Sequence, residues 1–248
     1  MDLFDTTNNP ILPFSIPKED GFSEEWDERL KGFKIKIPHG ELFYSKQFFN
    51  QKFSDRKIEY FLENHSNNWK TTDWKNLTTE EFQSIAFKNI KWKQDSIYLY
   101  GKNTLLPRIT SWYGDNGKSY SYSGINSNPN EWNEGLVSIK QSIEEVAGVR
   151  FNSVLMNWYR DGEDHLNWHA DDEKELGQNP IIASVNFGAT RDFVLRRNDK
   201  SSKINIPLNH GTLLIMKGEC QHHWQHSVPK RKKVKDTRIN LTFRFINN

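Results

Sequence analysis

The sequence predicts a mostly β chain with some α, in which helices from the first half pack outside a β-sandwich or barrel built by the second half. Three observations carry this. After Gly148 the chain breaks into short apolar or alternating runs, Phe151–Tyr159, Ile181–Phe187, Asp192–Arg196, Lys203–Ile206, Thr212–Met216 and Arg238–Ile246. Gly188, Asn198-Asp199 and Asn209-His210-Gly211 punctuate them, and many short strands at regular spacing indicate a sandwich or barrel. The helix signals all precede Gly148, an order that argues against a βαβ sheet. In the last run Ile239, Leu241, Phe243 and Phe245 alternate with Arg238, Asn240, Thr242 and Arg244, the period of a strand with one apolar face.

The bounds are simple. A chain of 248 residues fits one large domain, or one domain with an extension, and can bury a sizeable core. A formal charge of +2 points to no class of partner by itself. The single cysteine, Cys220, forbids an intrachain disulfide and suits a reducing compartment. No apolar run reaches the roughly 18 residues that a membrane span needs. The acidic start, Met1-Asp2-Leu3-Phe4-Asp5, lacks the basic and apolar regions of a secretory signal. A cytoplasmic monomer without membrane association is therefore expected, nuclear if the source is eukaryotic.

Residues 1–35 mix Asn, Pro, Asp, Glu and Lys without periodicity and read as an extended or partly disordered arm. From Ser54 a helix is expected, capped by Ser54 or Asp55, with Ile58, Phe61 and Leu62 as its apolar stripe. Thr78-Thr79-Glu80-Glu81 has capping-box spacing ahead of Phe82, Ile85 and Ala86. The Trp- and Lys-rich stretch from Trp69 to Trp92 suits a packed outer layer, with stacking on nucleic-acid bases as the alternative. Ile97–Tyr100 reads as a strand before a turn at Gly101, and Ser119–Ser123 alternates so that Tyr120 and Tyr122 share a face. A third helix spans about Asn133 to Ala147, buries Leu136, Ile139, Ile143 and Val146, and stops at Gly148. Late in the chain, Lys230-Arg231-Lys232-Lys233-Val234-Lys235 is a dense basic run, either a phosphate contact or a solvated loop.

The chemistry centres on residues 157–173. Asn157/Tyr159 and His169/Asp171 are pairs spaced two apart around an Asp161-Gly162 turn. In extended backbone each pair shares a face. One His and one carboxylate make two-thirds of a metal site, and His210, His222, His223 and His226 are the candidates for the third ligand. Two His and one carboxylate with open positions suit a non-haem Fe(II) oxygenase. His165 and His169 are four apart, but the Glu of a zinc-peptidase helix is absent. Arg238 and Arg244 on one face of the last strand suit a dicarboxylate, because guanidinium forks bind carboxylates bidentately.

These residues resemble the AlkB family of Fe(II)- and 2-oxoglutarate-dependent dioxygenases, in particular its eukaryotic-type DNA-repair demethylases. Asn157-Trp158-Tyr159, His169-Ala170-Asp171, Ile182-Ala183-Ser184-Val185-Asn186-Phe187-Gly188-Ala189-Thr190-Arg191, His226 and Arg238-Ile239-Asn240-Leu241-Thr242-Phe243-Arg244 occur in the family's order over roughly Leu99 to Ile246. The resemblance implies a double-stranded β-helix, or jelly-roll, core over 149–248. N-terminal helices and a nucleotide-recognition lid would occupy 36–148, behind the arm of 1–35. It further implies that His169, Asp171 and His226 hold the catalytic iron, and that Asn157, Tyr159, Arg238, Thr242 and Arg244 hold 2-oxoglutarate. Tyr120 and Tyr122 would border the base pocket, since a flipped base needs aromatic walls. Asp172 would read the base, Leu99-Tyr100-Gly101 would fill the gap left by the flipped base, and Arg108 with the basic run would contact phosphates. The implied reaction uses Fe(II), 2-oxoglutarate and O2 to demethylate 1-methyladenine and 3-methylcytosine in DNA, releasing formaldehyde, succinate and CO2. RNA or protein demethylation, or an inactive nucleic-acid-binding module of the same fold, are the alternatives. The region before Leu99 departs most from the family pattern.

Overall fold

The computed structural model describes residues 10–99, 101–118, 120–122 and 125–247; the side chains of residues 97–99, 103, 120–122 and 125–127 lie outside that description. The strands are β1 (Ser23–Asp27), β2 (Gly32–Ile37), β3 (Gly40–Ser45), β4 (Ser96–Leu99), β5 (Lys102–Leu105), β6 (Ile109–Gly114), β7 (Tyr120–Tyr122) and β8 (Ile125–Ser127). They continue as β9 (Ser153–Tyr159), β10 (Leu166–His169), β11 (Ile182–Gly188), β12 (Arg191–Arg197), β13 (Lys203–Leu208), β14 (Leu213–Lys217), β15 (Trp224–Val228) and β16 (Arg238–Arg244). The helices are α1 (Gln51–Leu62), α2 (Thr79–Gln83), α3 (Glu134–Ala147) and the single-turn α4 (Cys220–His223).

A large antiparallel sheet runs β1-β2-β3-β14-β11-β16-β9-β6, and a smaller one runs β10-β15-β12-β13. From β9 onward the chain repeatedly crosses between the two sheets, the weave of a jelly roll. Each face of the large sheet covers one core. Its outer face packs Trp158, Phe187, Ile239, Leu241 and Phe243 against α1, α3 and the Trp74–Trp92 segment. Its inner face meets Phe193, Leu195, Ile204, Ile206, Trp224 and Val228 of the small sheet. The order of layers is thus helices, large sheet, small sheet.

The helices obey their local chemistry. At α2 the Thr78 and Glu81 capping box closes as the spacing predicts. At α3 Asn133 caps the start and Gly148 adopts φ 72° at the stop. Val146 is only half-buried, and Ala147 completes the stripe in its place. The start of α1 is corrected: Asn50 is the cap, accepting the Phe53 N–H at 2.9 Å, so the helix begins before Ser54. Ser54 is instead buried in its first turn, donating to the Phe49 carbonyl.

The extended-arm expectation for residues 1–35 is corrected in its second half. Ser23–Asp27 and Gly32–Ile37 are paired strands at the edge of the large sheet; residues 1–9 lie outside the described residues. The Trp69–Trp92 stretch is the packed layer rather than a stacking surface. Trp74 and Trp92 are buried with ring centroids 5.1 and 5.4 Å from Trp158, and Trp158 Nε1 donates to Thr237 Oγ1 at 2.7 Å.

Candidate metal and dicarboxylate site

The inner face of the large sheet carries one half of the site. Register places Arg238 across from Tyr159, Asn240 from Asn157 and Thr242 from Leu155; on the other side Thr242 faces Ser184. Because side chains alternate across a strand, these residues line one cavity with Arg244, His169, Asp171, His226, Phe193 and Met216.

The other half comes from the small sheet, and a β-bulge aims it. Leu166 pairs with Val228, but His169 rather than Trp168 pairs with His226. One extra residue in β10 therefore turns His169 inward, while Trp168 stays exposed under the Arg196 guanidinium at 4.0 Å. The imidazole centroids of His169 and His226 lie 4.2 Å apart. His169, Asp171 and His226 each offer a ligand atom within 4.8 Å of the others.

The protonation states suit a divalent ion. His169 Nδ1 lies 2.9 Å from the Asn167 carbonyl, which can only accept, so Nδ1 carries a proton and Nε2 is the nitrogen left for a ligand. Burial, with His169 adding to it, pushes the His226 imidazole down to about 3 and keeps it neutral. Burial raises the Asp171 carboxyl, but the Arg244 guanidinium beside it overrides this and holds the group at about 2. Arg244 Nη2 donates to Asp171 Oδ1 at 2.6 Å, and the Asp171 N–H donates to Gln221 Oε1 at 2.9 Å. Asp171 Oδ2 is buried without a hydrogen-bond partner among the described residues and stands 4.0 Å from His226 Nε2. A fixed anionic carboxylate oxygen beside two imidazoles fits Fe(II) as its ligand set.

Opposite the triad, Arg238 is 1% exposed, yet its Nε and Nη1 have no hydrogen-bond partner among the described residues. Its guanidinium lies 4.7 Å from the Tyr159 ring centroid, and burial pulls it down to about 10. A buried cation with open donors is costly unless an anion completes it, which is what a dicarboxylate would supply. Asn157 is buried beside it, and Thr242 Oγ1 donates to Asn240 Oδ1 at 3.1 Å.

The sequence-predicted residues divide accordingly. The triad and Asn157, Tyr159, Arg238, Thr242 and Arg244 converge on one cavity. Asp172 is exposed, one residue beyond Asp171. Arg108 is corrected: it is 3% exposed, and its Nε donates to Asn157 Oδ1 at 2.8 Å, so it positions Asn157 rather than meeting a phosphate from solvent. The side chains of Tyr120 and Tyr122, and the Leu99 side chain with Tyr100, lie outside the described residues. The remaining histidine candidates are elsewhere: His210 Nδ1 accepts the Gly188 N–H, His222 Nε2 meets the Gln178 carbonyl at the surface, and His223 pairs with Glu219.

Three supporting residues escaped the sequence reading. Gln221, on α4, orients Asp171. Asp164 is fully buried, bound by Arg160 Nε at 2.8 Å and Nη2 at 2.9 Å and by Lys75 at 2.5 Å. Arg191 donates to the Asp161, Asp164 and Pro229 carbonyls at 2.9, 2.9 and 2.7 Å, stapling the turn after β9 to the end of β15. Arg191 closes the Ile182–Arg191 motif, which was the available signal for it. At that turn a Cβ on Gly162 would stand 1.8 Å from the Arg231 carbonyl, so only glycine lets the basic run approach.

Comparison with known proteins places this geometry. Residues 42–244 match the family model described as "2OG-Fe(II) oxygenase superfamily". The chain is 44% identical over 169 residues to "Alpha-ketoglutarate-dependent dioxygenase alkB homolog 3" of Bos taurus, covering 64% of this chain and 58% of the relative. It is 44% identical over 158 residues to "DNA oxidative demethylase ALKBH2" of Homo sapiens, covering 60% of each. It is 39% identical over 186 residues to the protein of the same name from Arabidopsis thaliana, covering 64% of this chain and 59% of the relative. The similarity thus spans under two-thirds of these relatives' length. Among the described residues no helix is long and apolar enough to cross a membrane.

Proposed function

Because the chain belongs to the 2OG-Fe(II) oxygenase superfamily, and within it to the AlkB family, we propose that it is a DNA oxidative demethylase that repairs N-alkylated bases such as 1-methyladenine and 3-methylcytosine. Two of the relatives named above bear the name DNA oxidative demethylase, and the donor set of this chain fits the cofactors of that reaction. The observation that carries the reading is that Asp171 Oδ2, within the His169–His226 triad, and the Nε and Nη1 donors of Arg238 are buried without hydrogen-bond partners among the described residues and belong to one cavity lining.

When bound by His169, Asp171 and His226, Fe(II) supplies the oxidising chemistry that couples decarboxylation of 2-oxoglutarate to succinate and CO2 with hydroxylation of the N-alkyl carbon by O2. The chain's own residues do the rest. Arg238 binds the distal carboxylate of 2-oxoglutarate through its free donors, with Tyr159 against its face. Asn157, fixed by Arg108, and Thr242 set the plane in which the co-substrate lies. Arg244 keeps Asp171 anionic and oriented. The sandwich interior excludes water from all of these groups. Asp172 faces solvent beside the triad, where its carboxylate attracts the cationic ring of a methylated base and favours it over a neutral one. The hydroxylated carbon then leaves as formaldehyde, and its hydroxyl proton passes to solvent. The enzyme acts as a monomer.

A panel of oligonucleotides carrying single methylated bases, as DNA and as RNA and in single and double strands, tests the reading. After incubation with Fe(II) and 2-oxoglutarate, mass spectrometry should show methyl loss from 1-methyladenine and 3-methylcytosine in DNA. Methyl loss confined to RNA would replace the substrate, and no loss from any member would remove the demethylase reading.

A further inference from the structure

A second cluster of metal-ligating side chains lies outside the site described above. His39, in the turn between β2 and β3, meets Glu219, which precedes α4, and His223, which ends it, and the three offer ligand atoms within 4.8 Å of one another. His39 Nδ1 and His223 Nε2 converge on the same atom, Glu219 Oε2, at 3.1 and 3.5 Å. Their rings stack at 3.8 Å between centroids, 15° from parallel.

Two imidazole N–H groups can both donate to one carboxylate oxygen, and a divalent ion taken up in place of those protons satisfies the same three groups. Zinc bound at about 2.0–2.1 Å in tetrahedral geometry holds its ligand atoms about 3.3 Å apart, and the two measured separations bracket that value. The side chains are about half exposed, 45%, 53% and 41% for His39, Glu219 and His223, so the two rings have room to turn out of their stack and aim both nitrogens at one ion, and water can fill the remaining position.

The backbone holds the cluster in place. His39 adopts φ 63°, a left-handed conformation a non-glycine residue seldom takes. The preceding carbonyl, of Pro38, accepts from the buried Trp224 Nε1 at 2.8 Å. On the other side, the His223 carbonyl accepts the Asn198 N–H at 2.9 Å, and Glu219 accepts the N–H groups of His222 and His223 through its own carbonyl. The cluster is separate from the triad, because α4 turns Gln221 inward to Asp171 while leaving Glu219 and His223 on the outside.

We propose that His39, Glu219 and His223 form a second binding site for a divalent transition ion of the zinc, nickel or copper class. The ion ties the β2–β3 turn to α4, and so to the segment that carries Gln221 and leads into His226.

The test is competition between the full chain and a chromophoric chelator for Zn2+ alone, after removal of bound metal. The unsubstituted chain should retain two equivalents. His39→Ala with His223→Ala should retain one, as should His169→Ala with His226→Ala, and Glu219→Gln should weaken the outer site at least tenfold. Circular dichroism of the His39→Ala, His223→Ala chain should match the parent, since both side chains are on the surface. An unsubstituted chain that retains a single equivalent, or a His39→Ala, His223→Ala chain that still retains two, overturns the proposal.

Discussion

Arg238 is buried with its Nε and Nη1 unpartnered among the described residues, and its replacement separates co-substrate binding from everything else. A hydrogen bond to a charged group contributes about 1.5–3 kcal/mol. Arg238→Ala should therefore raise the 2-oxoglutarate concentration at half-saturation by roughly 10- to 100-fold and leave affinity for a methylated oligonucleotide unchanged. Titrations of both ligands check this, and equal losses would remove the dicarboxylate role. Asp164 shows the opposite use of a buried charge. Burial raises its pKa, and Arg160 with Lys75 overrides that and holds it below the ordinary value of 3.8. A folded-state pKa below the unfolded one contributes stability that is complete above the unfolded value and is lost as pH falls through the folded one. Asp164→Asn should cost about 3–5 kcal/mol at neutral pH, because Arg160 loses its buried partner. The difference from the parent chain should shrink as pH drops below about 4. Urea unfolding at pH 7 and pH 3 measures both quantities.

At the scale of elements, β10 decides whether a triad exists. Its extra residue sets His169, rather than Trp168, across from His226. Exchanging the two side chains, Trp168→His with His169→Trp, moves the imidazole off the position across from His226, and neighbouring side chains on a strand point to opposite faces. The exchange should abolish Fe(II) binding while circular dichroism still reports the sandwich; retained binding would show that the position across from His226 is not what supplies the ligand. The bulge was not legible in the sequence, because two-residue spacing says that His169 and Asp171 share a face without saying which. The alternation of Arg238–Arg244 was legible and needed no correction, since β16 lies between two partners and has one buried polar face. In β2, Phe33, Ile35 and Ile37 alternate with Lys34 and Lys36 in the same way. That signal was present but short, and the charge-rich residues before it masked it. Arg108 misled for a physical reason: a basic residue reads as surface, and only its tertiary partner Asn157 reveals that it is internal.

Across the whole molecule, the basic run from Lys230 to Lys235 is not uniform. Lys230 pairs with Glu163 and Arg231 with Asp192, so these two charges are partly spent on the protein. Lys232, Lys233 and Lys235 are exposed and are the residues that can neutralise phosphate. Each contact to duplex DNA should contribute about 0.9 to the slope of log affinity against log salt. Changing all three to Gln should lower that slope by roughly 2–3, whereas changing Lys230 alone should move it little. An unchanged slope in the triple variant would make the run a solvated loop. The layered architecture explains why such changes should not reach the chemistry, since the triad and the Arg238 pocket lie between the two sheets and the basic run lies outside them.

The most direct measurement is product formation from a 1-methyladenine DNA oligonucleotide, followed as succinate and formaldehyde together, with and without Fe(II), for the parent chain and for Asp171→Ala. Equal amounts of both products, dependent on iron and absent from Asp171→Ala, are the expected result. Formaldehyde released without iron, or retained in Asp171→Ala, would contradict the assignment of His169, Asp171 and His226 as the centre of the reaction.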